Sequence, residues 1–297
     1  MNRLRATFLS TSRSSLASRS SRASLATSER AHSSMGIWAL WGGLMGAVMA
    51  FVLNLPAQWV AHGLADGSKG LVQLHEAQGS IWNGSGKLVF TGGEGSRDAL
   101  ALPGRLHWQT SFSLNENNLP RVSLKVQASC CMSSAAKLHI SPLTSLNALQ
   151  LQVDNHRSEW PAQWLSGLGA PWNTMQPEGT LVLETQQLAI ELGRQSTVLI
   201  GSLNLTAQNL SSKLSTLKPM GSYQLRLSSD TARSQQALLS LSTQSGSLLL
   251  SGQGQWQGSH FQFRGEASAV PEHAAALSNL LNIIGRRQGA RSLLSLG

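Results

Sequence analysis

The chain is predicted to be mainly β: one N-terminal transmembrane helix, then antiparallel meander sheet built from two related modules with short helices. Three observations carry this. Residues 35–53 hold no charge and are mostly apolar. Beyond residue 55 apolar and polar residues alternate with period two, broken by Gly, Asn, Ser and Pro about every ten residues. And a short string, Pro-Ala-Gln-Trp, occurs at 56–59 and again at 161–164.

The apolar stretch is read first, since it fixes where the rest would lie. A helix over these residues is about as long as the hydrocarbon core of a bilayer is thick, at about 1.5 Å per residue. The charge-free run is longer still, from Ala31 to Ala65, with only His32 and His62 inside. Trp38 and Trp41 near one end and Trp59 beyond the other suit interfacial anchors. The tail before it carries Arg3, Arg5, Arg13, Arg19, Arg22 and Arg30 against Glu29. That asymmetry predicts a cytoplasmic N-terminus and a C-terminal part across the membrane. A cleaved signal peptide fits less well, because its apolar core is shorter and its basic region briefer. The expected divisions are a basic Ser/Arg-rich cytoplasmic tail (1–34), the span (35–55), a first β module (56–155) and a second with a C-terminal helix (156–297). Within the span, Gly42, Gly46 and Ala50 share one face, a spacing that lets two helix backbones approach in lipid.

Strands are expected at 122–128, 149–153, 181–192, 198–207, 223–229, 238–243 and 260–269, each with one buried and one wet face. Pro161–Leu168 reads as a short helix opened by proline and stopped at Gly169. Pro271–Ile284 reads as a longer one, with Leu277, Leu280, Leu281 and Ile284 on one face. Both copies of Pro-Ala-Gln-Trp are followed about twenty residues on by a Gly-led strand, Gly79-Ser80 and Gly179-Thr180. Recurrence of string and context predicts a duplicated unit, a short helix plus a meander.

Charge and motif chemistry exclude several classes. The tail supplies five of the nine net positive charges. What remains is too dilute for a nucleic-acid footprint. The eight His residues show no metal-ligand pair, and no Gly-x-Ser-x-Gly elbow occurs. Gly84-Ser85-Gly86-Lys87 lacks the rest of a phosphate loop and reads as a hairpin turn. Cys130 and Cys131 are adjacent; a framework disulfide is not expected from them, and they read as small, semi-buried residues without chemistry. No catalytic residue, metal, cofactor or small-molecule substrate is expected. A membrane-anchored hydrolase would need converging polar side chains that the sequence does not reveal.

Seven motifs in order resemble one family. They are Gly79-Ser80-Ile81-Trp82-Asn83-Gly84, Leu102-Pro103-Gly104-Arg105-Leu106-x-Trp108, and Gly169-Ala170-Pro171-Trp172-Asn173-Thr174 running into Pro177-Glu178-Gly179. Leu210–Ser215, Met220-Gly221-Ser222-Tyr223, Gly246–Trp256 (with Gly252) and Leu280–Arg286 follow. Together they resemble the N protein of the type II (general) secretion pathway. Ser80, Trp172 and Met220 depart mildly from that pattern, and the adjacent cysteines have no place in it. The resemblance implies a non-enzymatic inner-membrane protein with a periplasmic domain, placed among machinery that exports folded proteins across the outer membrane. Its implied partners are the inner-membrane C, L and M components and, through C, the secretin. Of the motif residues, Trp82, Trp108 and Trp256 read as core fillers and the glycines as turn and bulge positions. Partner contacts would use exposed sheet edges. A reading from another class is a lipid-handling β groove. A continuous exposed apolar strip would favour it, and a filled core would favour a scaffold.

Overall fold

The computed structural model describes residues 35–296, apart from 94, 116, 144–147, 194–196, 231–235 and 258–259; the tail, 1–34, lies outside the described residues. The chain divides into two compact units, one ending at Val48 and the other running from Met49.

Helix α1 spans Met35–Leu53 and bears no acidic or basic residue at either end. From Trp38 to Leu53 every side chain is exposed. Among the described residues no helix is long and apolar enough to cross a membrane; the side chains of this one are described only from Trp38 onward.

Met49–Gly297 is built on one sheet. After α2 (Gln58–Gly67) come β1 (Val72–Gly79), β2 (Asn83–Thr91), β3 (Ala99–Ala101), β4 (Leu106–Leu114), β5 (Pro120–Ala128) and β6 (Ala136–Pro142). β7 (Leu149–Val153) and β8 (His156–Pro161) precede a 3₁₀ turn over Ala162–Leu168 and the short α3 (Trp172–Met175). Then follow β9 (Glu178–Leu192), β10 (Thr197–Ser211), β11 (Gly221–Asp230), β12 (Gln236–Gly246), β13 (Leu248–Gln257) and β14 (His260–Ala269). A 3₁₀ turn at Pro271–His273 leads into α4 (Ala274–Ile284), and β15 (Arg286–Gln288) and β16 (Arg291–Leu296) close the chain. Every pairing is antiparallel, and all sixteen strands belong to the same sheet among the described residues. The order β1-β2-β4-β5-β6-β7-β9-β10-β11-β12-β13-β14-β16-β15 is almost the order of the sequence.

The alternating segments therefore form strands where expected, because each can bury one face only by pairing with its neighbour. Pro271 opens a helical turn as expected, since proline gives up no bonded N–H at a first position; Pro161 is instead the extended last residue of β8, and the turn begins at Ala162. On α4, Leu277, Leu280 and Leu281 are buried. β7 and β8 lie along β9 in one unbroken register, Leu149↔Leu192 to Val153↔Leu188 and His156↔Thr185 to Pro161↔Thr180. The expected boundary at 155/156 falls in the gap between these two strands, so one sheet runs through both expected modules.

Three core clusters hold helices onto one face of this sheet. α2 packs Val60, Ala61 and Leu64 over Leu74, Leu106, Trp108 and Leu124. Trp164 of the first 3₁₀ turn joins Leu102, Ala128, Cys131, Phe90 and Trp160. α4 covers Met220, Tyr223, Leu248 and Ala267, with Ala207, Leu210, Leu250 and Ala269 around them. Leu106 and Trp108 begin β4 and Ala128 ends β5. Tyr223 begins β11, Leu248 begins β13 and Ala267 ends β14. All lie at the same end of an antiparallel meander. The helices thus cap one end of one face, and among the described residues no helix packs on the far end of that face.

Candidate functional site

The repeated string builds the same local unit twice. Pro56 bridges Ser80, and Pro161 pairs with Thr180. Ala57 and Ala162 are both fully buried behind these contacts, at 1% and 0% exposure. Gly79 closes β1 rather than leading a strand, and Gly179 is the second residue of β9, with φ of +89° and +132°. A Cβ at either would strike backbone, 2.4 Å from the Asn83 carbonyl oxygen or 2.7 Å from that of Gln208. Only glycine fits such a conformation so close to a neighbour.

The Gly-Ser-Ile-Trp-Asn-Gly motif is a joint. Trp108 is buried and its indole Nε1 donates to the Ser80 carbonyl at 3.2 Å. Its ring lies on Gly84, where an added Cβ would fall 2.3 Å from Trp108 Cζ2. Leu74 covers Gly86 in the same way. Gly84–Lys87 is therefore mid-strand in β2, not the expected turn: these glycines make room for side chains from adjoining strands. Trp82 is partly buried, lies tilted against Phe112 with ring centroids 5.1 Å apart, and donates from Nε1 to the Val52 carbonyl at the end of α1 at 2.9 Å. Pro103 and Gly104 (φ +102°) form the turn into β4.

In the second half, Gly221 leaves space beside Tyr223, whose buried hydroxyl has no hydrogen-bond partner among the described residues; burial pushes its pKa up. Gly252 lies beneath the Phe263 ring. Trp256 packs 4.5 Å from Phe261 yet stays 37% exposed. It is not the core filler that Trp108 is. Gly42, Gly46 and Ala50 stand on one exposed face of α1, and a Cβ at either glycine meets nothing within 4 Å.

The cysteines correct an expectation. Cys130 and Cys131 are joined as a disulfide between neighbours, and no free cysteine remains among the described residues. The cause is the tight turn after β5, in which the Cys131 and Met132 N–H groups both donate to the Ala128 carbonyl. Cys131 is buried in the Trp164 cluster, whereas Cys130 is exposed beside a cavity of about 400 Å³ also lined by Arg157 and Glu159.

On the opposite face, β5, β6 and the break after β7 bring polar groups together that the sequence could not connect. Ser123 Oγ lies 2.8 Å from His139 Nδ1, and His139 Nε2 lies 3.4 Å from Asp154 Oδ1. Ser123 stands mid-strand, paired with Ser111 and His139, so the backbone around it is committed to the ladder. Acyl-transfer chemistry needs free N–H donors aimed at a developing oxyanion. A sheet interior commits them elsewhere. Among the described residues no three His, Cys, Asp or Glu side chains stand close enough to hold a metal ion.

A wide meander, helices over one end and motif glycines spent on close packing define an extended β scaffold, one whose residues serve shape. The family model for protein N of the type II secretion system matches residues 70–293. The chain belongs to that family. Membership gives it a role in type II secretion, in company with other secretion components. The family is one of machinery parts, generally non-enzymatic. No curated protein and no solved structure matches the chain.

Proposed function

We propose that this chain is a single-pass inner-membrane component of the type II secretion machinery, held by α1 with its N-terminal tail in the cytoplasm and its sheet in the periplasm. The observation that carries this is the family match over residues 70–293, which covers nearly the whole sheet. The anchor rests on nineteen uncharged helical residues behind six arginines, a charge bias that retains the tail on the cytoplasmic side. Partners on this reading are the inner-membrane C, L and M components, with the secretin reached through C. The role is assembly or positioning during export of folded proteins, without catalysis. The Gly42/Gly46 face of α1 is the candidate helix contact inside the membrane.

Deletion of the gene tests this reading. Secreted proteins are then expected to accumulate in the periplasm and disappear from the medium. Export at the normal level would overturn the role.

A further inference from the structure

The face that bears the helices is apolar well beyond the area they cover. Phe112, Val122, Ile140, Leu151, Ile190 and Leu199 stand directly opposite one another across β4, β5, β6, β7, β9 and β10. Cross-strand partners point to the same side of a sheet. The neighbouring row toward the helices, Leu124, Leu138, Val153 and Leu188, lies on that same side. Leu124 joins the cluster beneath α2, which identifies this side as the helix-bearing one. At the far end Phe112 is 64% exposed, Ile140 42% and Leu149 51%. Single exposed apolar residues need no explanation, but a continuous strip marks a binding surface.

From β4 to β14 the described residues on this side include no Lys, Arg, Asp or Glu. Charges such as Lys125, Lys137, Glu191 and Arg226 alternate onto the opposite side. The side's titratable groups are held neutral as well. Burial lowers the pKa of His156 and raises that of Tyr223.

We propose that this apolar row, open among the described residues from β4 to β9 and closed at β10 by the buried Leu199, is a binding site for a lipid acyl chain. A protein partner of ordinary kind brings about one hydrogen bond per 100–200 Å² and a polar rim. The row offers neither charge nor donor to meet them, and a hydrocarbon chain requires neither. Its length also fits. Its five open strands, at a spacing of about 4.8 Å, extend for about 19 Å. One leaflet of a hydrocarbon core about 30 Å thick gives a chain about 15 Å. The site does not depend on the secretion role, and its test reads no export.

The full-length protein is reconstituted into phosphatidylethanolamine/phosphatidylglycerol vesicles doped with a phospholipid carrying a photoactivatable acyl chain, irradiated, and mapped by peptide mass spectrometry. Adducts are expected within 106–126 and 136–153, besides those on α1. Phe112→Ser and Ile140→Asn are each expected to lower the strand adducts about tenfold and leave those on α1 unchanged. Phe112 is the more exposed, so Phe112→Ser decides if Ile140→Asn fails to fold. Adducts confined to α1, or strand adducts unchanged in Phe112→Ser, would each overturn the proposal.

Discussion

At the scale of single residues, the sheet's side chains are legible in kind but not in partner. Alternation says that Leu124 faces inward and Ser123 outward; it cannot say that Ser123 meets His139 from the next strand, or that His139 meets Asp154 from the break after β7. For the same reason Gly84 and Gly86 mislead. They look like a turn locally, and the Trp108 and Leu74 side chains that require them come from neighbouring strands. The disulfide escaped because ring closure between adjacent cysteines depends on the turn at Ala128, which composition does not encode. His156 gives a residue-level prediction. Its Nε2 is shut away from solvent with no partner among the described residues, and burial holds its pKa below the ordinary 6.5. Below about pH 6.5 the unfolded chain therefore takes up more protons than the folded one, and stability falls as pH falls. Urea midpoints measured at about pH 7.5 and about pH 5.5 should drop further for the wild type than for His156→Phe. Equal drops would show that His156 contributes nothing.

At the scale of elements, period-two patterning located the strands well because each strand had one wet and one buried face. Helix α4 was legible for the same reason with a different period, and its prediction follows from it. Leu280 is fully buried against Met220, Tyr223 and Leu248, so truncation leaves a cavity rather than a rearranged surface. Leu280→Ala should cost about 2–5 kcal/mol in denaturant unfolding. A loss below about 0.5 kcal/mol, the range of a neutral surface change, would mean that α4 does not hold this end of the sheet. The repeated Pro-Ala-Gln-Trp string was the most informative local signal. It marks the two places where a helical turn leaves the sheet edge and a buried alanine, Ala57 or Ala162, lets it lie close.

At the scale of the whole molecule, the antiparallel character was legible, whereas the continuity of one sheet through both modules was not. That continuity depends on β7 and β8 keeping one register on β9 across the Asp154–Asn155 break. β9 and β10, each fifteen residues long, are paired along most of their length and have neighbours on both sides. Native-state hydrogen exchange should therefore find its slowest amides in β9 and β10 and its fastest in the short β3 and β15. Fast exchange throughout β9 would contradict the sheet as a single cooperative body. The near-sequential strand order has a wider consequence. In such a meander each hairpin touches only the hairpins before and after it, as repeats do in a solenoid. A hairpin inserted or deleted in the middle would change the span without rewiring any other pairing. The molecule's width is thus a quantity that evolution can adjust in steps of two strands, as one trims a plank to the gap it must bridge.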